Sequence, residues 1–468
     1  MGVVLLLAQT AAASRAERCV TPRLTAAVQE AQKRAAVEDR AYEWTERLVI
    51  ECGPRLAGTA AEQHAAEWAM TEMGDAGLAN VRAQPFAFTG WTRGEARVDV
   101  VAPFQQTLSA AALGGSVGTP SEGIEASVVR FPDVATLEQA TTADVAGHIV
   151  FIDQRMSRAR DRSNYVSARP VRSDAPVIAA RKHAVAVVIR SLGTDTNRLP
   201  HVGMTRYAPD VTSIPAFALS IPDADLLALM QARAGSVTLR LYSSARQQPQ
   251  STSRNVMGDI MAPVHTREVV LLAAHVDSWD VGSGAVDDAS GVGVMLAVAG
   301  IVRAHRDVLR RNVRFVLYGA EEFGGAGAQA YVDAHVATSK HVAAIEEDLG
   351  SGRLWRLQLP RRDDASGVAD VLERTLTPLG IELSRDYAAF GGTDLEPLRA
   401  LGVPVYDLDP DASSYFDVHH TANDTLTQVS AEGLRQHVSA FASFALLLAG
   451  VSDECLSELV SVATGSMH

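Results

Sequence analysis

Cysteine is scarce in this chain: Cys19, Cys52 and Cys455 are the only three in 468 residues. So few, so scattered, they exclude a cysteine-built zinc cluster or a CxxC redox site. One pair can bridge in an exported protein, leaving one free thiol, and spacing does not say which. No continuous run of about twenty apolar residues occurs, so no transmembrane helix is predicted. Positive charge is in deficit, with 42 Lys and Arg against 55 Asp and Glu and a net charge of −13. That balance argues against nucleic acid as a partner. Internal repeats and low-complexity tracts are missing too. The GSG at 282–284 and the GG at 324–325 do not continue into phosphate-loop spacing. Ser290 stands in ASG rather than in a G-x-S-x-G elbow, which disfavours a serine hydrolase.

What is present is an ordinary globular composition, 47% hydrophobic and 21% charged. The length predicts two domains. The N-terminus, MGVVLLLAQTAAAS, has a short apolar core and a small-residue stretch at Ala11–Ala13, the pattern of an export signal without its positive leader. A secreted or periplasmic protein is the expectation.

Residues 22–78 read as helices, and ANVRAQPFAF and ARVDVVAP as short strands. From about 107 to 246 the texture changes. Short β-like runs (IVFI, AVVIR, AFALS, SVTLRLY) alternate with short helices such as DADLLALMQARAG, and metal-ligand clusters are absent. The polar QQPQSTS at 247–253 reads as a return linker. After it, strands VMGDIM, EVVLLAAH, NVRFVLYG, VAAIEED and VPVYDLD alternate with helices at 289–305, 324–337, 366–379 and 430–450. That alternation predicts an α/β fold, a mainly parallel sheet with helices on both faces. The expected division is a signal segment at 1–18, a main domain from 19–106 and 254–468, and a β-rich insert at 107–253.

Four strand ends in the second half finish in metal-binding side chains. EVVLLAAH ends in His275, with Asp277 two residues on and Asp287 in the following loop. NVRFVLYG runs into Glu321–Glu322, VAAIEED supplies Glu347–Asp348, and the segment after VPVYDLD supplies His419–His420. A lone strand-end Asp or His is ordinarily a cap or turn residue, and a Glu pair a solvated helix start. Four clusters at successive strand ends are a different matter, since open α/β sheets put their sites there. Asp277 at i+2 shares a strand face with His275 and suits a carboxylate holding the second nitrogen of a metal-bound imidazole. Two His and three carboxylates exceed one tetrahedral zinc and fit two metals sharing a carboxylate. The Glu321–Glu322 pair supplies both a ligand and a general base. The remaining histidines, His201 and His437 among them, have no ligand spacing and read as structural or surface groups.

HVDSWDVGSGAVDDASG, GAEEFGG, EEDLG and HHTANDTL together resemble the M28 family of co-catalytic zinc exopeptidases. The likeness extends to PHVGMTRY and SIPAFALSIPDADLL in the insert and to GGTDLEPLRALGVPVYDLDPDASSYFDVHHTANDT, and so covers most of the chain. It implies a zinc-exopeptidase fold with a protease-associated-like insert, and two zinc ions per chain, other divalent metals being admissible. His275, backed by Asp277, and Asp348 would hold one ion, Glu322 and His420 the other, and Asp287 would bridge. The family frame selects Asp287 over Asp288 because it stands four before Gly291, and His420 over His419 because it stands four before Asp424. Glu321 would be the general base and His419 an oxyanion donor. Gly391, Gly392, Thr393 and Asp394 form a candidate substrate wall, since glycine lets backbone approach a ligand closely.

The implied activity is hydrolysis of dipeptides or short peptides with a free N-terminus. Cleavage anchored on the C-terminal carboxylate is the alternative, with Arg353, Arg356, Arg361 and Arg362 as candidate anchors against a plain surface charge run. A single-zinc cyclase or a ligand-losing binding module on the same fold are further alternatives. A homodimer enters only through the resemblance.

Overall fold

The computed structural model describes residues 18–361 and 366–456. The export-signal segment up to residue 17, Arg362 and His468 lie outside the described residues.

The described residues build two eight-stranded sheets. The main one comprises β1 (Ala79–Thr92), β2 (Arg246–Ile260), β3 (Glu268–His275), β4 (Asn312–Tyr318), β5 (Lys340–Glu346), β6 (Leu354–Gln358), β7 (Glu382–Ser384) and β8 (Val405–Pro410), in the order β1-β2-β4-β3-β5-β8-β6-β7. The central four, β4, β3, β5 and β8, are mutually parallel, and β2 on one side and β6 on the other join them antiparallel, with β1 antiparallel to β2 and β7 parallel to β6. Side chains of a strand alternate between faces. Val270, Leu272 and Ala274 of β3 therefore join one core with the helices Ser290–Ala304 and Ala431–Gly450, while Leu271 and Ala273 join the opposite core with Tyr331 and Leu398. Burial on both faces is why EVVLLAAH reads as an unbroken apolar run. The stretch Ala285–Ala304 is long and apolar enough to cross a membrane, but 94% of it is buried inside the protein.

The first helical stretch is divided into Pro22–Ala35 and Arg40–Cys52, with a third helix at Ala60–Asp75. The division follows from packing: the first piece lies on Ala431–Gly450 and the second on Ser290–Ala304.

The second sheet runs Gln106–Leu108, Ala96–Ala102, Thr238–Ser243, Ile124–Phe131, Ile149–Ile152, Ala186–Arg190, Ala216–Leu219, Ala110–Ala112. Its faces are covered by separate cores, Ile149 and Phe151 entering one and Val150 and Ile152 the other. Ala96–Ala102 pairs with Thr238–Ser243. The strand Ala96–Ala102, read from sequence as part of the main domain, thus belongs to the second sheet.

The stretch 247–253 is not an irregular linker: it lies inside β2, paired antiparallel with β1. Most of it is exposed, because this end of the two strands forms a ribbon with a solvated surface. Pro249 falls at the irregularity between the Phe88↔Ser251 and Gly90↔Gln248 pairs, where no ladder donor is needed.

Candidate metal centre

The parallel strands β3, β4 and β5 end at a common edge, and each delivers acidic or imidazole groups to it. His275 is the last residue of β3 and is wholly buried. Its Nε2 lies 3.0 Å from Asp287 Oδ1 and 3.3 Å from Asp348 Oδ1. His420 Nε2 lies 3.2 Å from Asp287 Oδ2 and 3.1 Å from Glu322 Oε2. The two oxygens of Asp287 thus face two different imidazoles, each with its own second carboxylate. Donor separations of this size match the edge of a tetrahedron with bonds of about 2.0 Å, about 3.3 Å. Glu322 Oε1 is buried without a hydrogen-bond partner. Nitrogen and carboxylate donors with an orphaned buried oxygen fit zinc.

The buried groups of the cluster shift one another's proton affinities. Burial pushes the Asp287 carboxyl up, but His275 and His420 outweigh it and hold the group well below the usual range. Burial pulls His275 down, and Asp348, Asp277 and Asp287 outweigh it, leaving it well above its ordinary value. Burial, reinforced by Asp348, Glu322 and Asp277, pushes the Glu321 carboxyl up to about 8 against the opposing effect of His275.

The residues behind these groups explain their orientation. Asp288 turns away from the cluster, its carboxylate accepting from the N–H of His275 and of Gly291, each at 3.0 Å. A Cβ on Gly291 would fall 2.4 Å from Asp288 Oδ1, so the SG pair is needed for that fold-back. Asp424 accepts from the N–H of Val286 and Asp287 at 2.7 and 3.2 Å. Buried Arg55 donates to the carbonyls of Val276, Ser283 and Gly284 and ties the same loop from the other side.

Asp277 meets the Nδ1 edge of His275 through its backbone more closely than through its side chain. The imidazole Nδ1 lies 3.0 Å from the backbone carbonyl of Asp277 and 3.7 Å from its carboxylate. β3 has ended by then, so the i+2 face-sharing no longer holds. The carboxylate instead accepts from the N–H of Glu321 at 3.0 Å and of Glu322 at 3.4 Å, clamping the turn that carries both glutamates.

The predicted substrate wall is divided. Gly392 and Thr393 line a cavity of about 470 Å³ at the centre, together with Glu321, Asp348, His419 and His420. Gly391 and Asp394 do not line it. Gly391 donates to Asp407 at 2.9 Å, and Asp394 is buried with both oxygens unpartnered. A Cβ on Gly392 would overlap Glu346 Oε2.

The insert contributes groups that sequence reasoning passed over. His420 Nδ1 donates to the carbonyl of Val202 at 3.0 Å, which leaves Nε2 free to face the cluster. His201 joins Asp195 to the carbonyl of His419. His419 stacks on His420 with ring centroids 3.6 Å apart. Arg162, Arg169, Arg172 and Arg206 line the cavity from the insert side. The signal available was PHVGMTRY, which holds His201, Val202 and Arg206 but has no ligand-like spacing.

Residues 255–445 match the model of peptidase family M28. Carboxypeptidase Q of Bos taurus is 30% identical over 417 residues, covering 89% of this chain and 86% of the relative. The crystal structure of a peptidase M28 precursor from Shewanella amazonensis superimposes with a TM-score of 0.87 at 38% identity, covering 92% of this chain and 97% of that one. A zinc aminopeptidase from Bacillus subtilis shares the fold at a TM-score of 0.62 and 23% identity, over 89% of this chain and 95% of its own. With its strand-end donor set in the same segment as the family match, the chain belongs to peptidase family M28 and is a zinc-dependent metallopeptidase.

Proposed function

We propose that this chain is a dizinc exopeptidase hydrolysing dipeptides or short peptides with a free N-terminus. The observation that carries the reading is Asp287, whose two oxygens face His275 and His420 separately. His275, Asp287 and Asp348 would hold one ion, and His420, Asp287 and Glu322 the other. When bound, the zinc pair supplies an acidified water and polarisation of the scissile carbonyl.

Glu321 takes the proton of the attacking water at its carboxylate. The water oxygen joins the carbonyl carbon, the C–N bond breaks, and Glu321 passes the proton to the leaving amine. Asp277 positions the Glu321 backbone. His419 faces the cavity and would donate a hydrogen bond to the developing oxyanion. Gly392 and Thr393 would border the substrate. Export belongs to the same reading, supported by the Cys19–Cys455 bridge, since disulfides persist in oxidising compartments.

The test is zinc content of the purified protein together with hydrolysis of a free dipeptide and its N-acetylated twin. The reading expects two zinc per chain, turnover of the free dipeptide only, and loss of turnover with retained zinc in Glu321→Gln. Hydrolysis of the acetylated twin would refute the free-amine requirement, and a protein without zinc would refute the mechanism.

A further inference from the structure

The cavity at the metal centre has two unlike sides. The main domain brings carboxylates and imidazoles, and the insert brings Arg162, Arg169, Arg172 and Arg206. Two of these arginines are committed. Arg162 pairs with Asp407 at 3.0 Å, and Arg172 donates to the hydroxyl of Tyr165 at 2.6 Å and the carbonyl of Val202 at 2.9 Å. Arg169 and Arg206 have no ion pair among the described residues, although Asp174 lines the same cavity. The backbone N–H of Arg206 donates to the carbonyl of Ser173, which holds the two arginine-bearing segments together.

Arg206 reaches across to the main domain. A Cβ on Gly324 would sit 3.2 Å from its Nη2, so the guanidinium lies against the turn that follows Glu321–Glu322. Two of the arginines named from sequence as carboxylate anchors, Arg353 and Arg356, do not line this cavity. Arg356 is spent on Asp409 at 2.7 Å, and Arg353 faces Glu432 at 4.0 Å.

We infer that Arg169 and Arg206 form a subsite for the C-terminal carboxylate of a dipeptide, an assignment resting on the peptidase reading above. One residue advances the chain by about 3.8 Å. With the scissile bond at Glu321, a dipeptide's carboxylate falls within one residue of the leaving nitrogen, beside the Glu321–Gly324 turn. A longer peptide places a neutral amide there and gives the guanidiniums nothing to pair with. Arginine suits the task because its planar fork meets both oxygens of a carboxylate. The volume of about 470 Å³ lies in the usual range for small-molecule sites, about 300–1,000 Å³. The insert therefore supplies substrate selection, its cations favouring dipeptides with a free carboxylate over longer peptides.

The experiment compares alanyl-alanine, its C-terminal amide, and the amide of alanyl-aspartate, using zinc-loaded wild type and the Arg169→Ala/Arg206→Ala double variant. Both side chains are exposed, so the variant is expected to fold. Wild type should favour the free acid over its amide by at least about tenfold in kcat/KM, the size of a charge-assisted hydrogen bond, chiefly through KM. In the double variant that ratio should collapse towards one. Calorimetric binding to Glu321→Gln should show the same discrimination without turnover. Equal turnover of acid and amide by wild type, or an unchanged ratio in the double variant, would overturn the subsite alone. Selection of the alanyl-aspartate amide over alanyl-alanine would overturn the terminal-carboxylate assignment in favour of a side-chain one. No hydrolysis of any substrate would overturn the peptidase reading along with it.

Discussion

At the scale of single residues, the site depends on carboxylates that do unlike work within a few positions. Asp277 holds two backbone N–H groups of the glutamate turn. Asp277→Ala would leave both donors unpaired, the buried Glu322 N–H at a penalty of about 1–3 kcal/mol and the half-buried Glu321 N–H at less. The expected result is a fall in kcat of at least about tenfold with zinc content retained, read by steady-state kinetics beside metal analysis. Glycine is as exacting at position 392, where φ is +82° and a Cβ would overlap Glu346. Gly392→Ala should yield little folded protein or a large drop in Tm by calorimetry. The two neighbouring aspartates were legible as site candidates; the family resemblance preferred Asp287, and Asp288 is turned onto the backbone N–H of His275. The partner of Asp277 was not legible. Period-two reasoning applies only while a strand lasts, and β3 stops at His275.

At the scale of elements, the insert is joined to the loop that carries His419 and His420. Thr194 N–H donates to the carbonyl of Phe416 and Val202 N–H to that of His420, both at 3.0 Å, and Arg158 pairs with Asp417 at 2.7 Å. Because the Val202 carbonyl also sets the His420 tautomer, loosening this seam should weaken metal binding at that position. Asp195→Ala or His201→Ala should lower the affinity for one zinc by about 10–100-fold. Chelator competition would then remove one ion well before the other, whereas simultaneous loss of both would contradict the link. None of this was visible in sequence, since backbone carbonyls carry no residue signature. The central parallel strands were visible because burial on both faces leaves continuous apolar runs, whereas the short strands β6 and β7 were missed. The exposed half of β2 was missed because its polar residues pair by backbone alone.

The helix Ala431–Gly450 carries a second buried pair. Burial pulls His437 down, but Glu347, whose Oε1 is 2.8 Å from Nδ1, and the Gly352 carbonyl outweigh it, leaving the imidazole above its ordinary value. The pair's contribution to stability is then complete below the unfolded pKa of about 6.5 and is lost as pH rises through the higher folded value. Wild type should lose stability on the alkaline side, and His437→Gln should flatten that dependence in denaturant titrations at several pH values. An unaltered profile would contradict it.

At the scale of the whole molecule, the termini of the described chain are joined. Cys19 and Cys455 are bonded across 436 residues and both are buried, while Cys52 is free. Sequence limited the protein to one bridge without choosing the pair, because pairing depends on where the first and last helices end. A cross-link over so long a loop restricts the unfolded chain, and its removal typically costs about 2–4 kcal/mol. Cys455→Ser should lower unfolding stability by about that amount and leave kcat intact, since neither cysteine lines the cavity at the metal donors.

The central claim is that two ions share Asp287. Zinc-edge anomalous diffraction from crystals of the zinc-loaded protein tests it most directly. The account predicts two peaks about 3.5–4 Å apart, one beside His275 and Asp348 and the other beside His420 and Glu322, with Asp287 between them. A single peak, or a pair not bridged by Asp287, would contradict it.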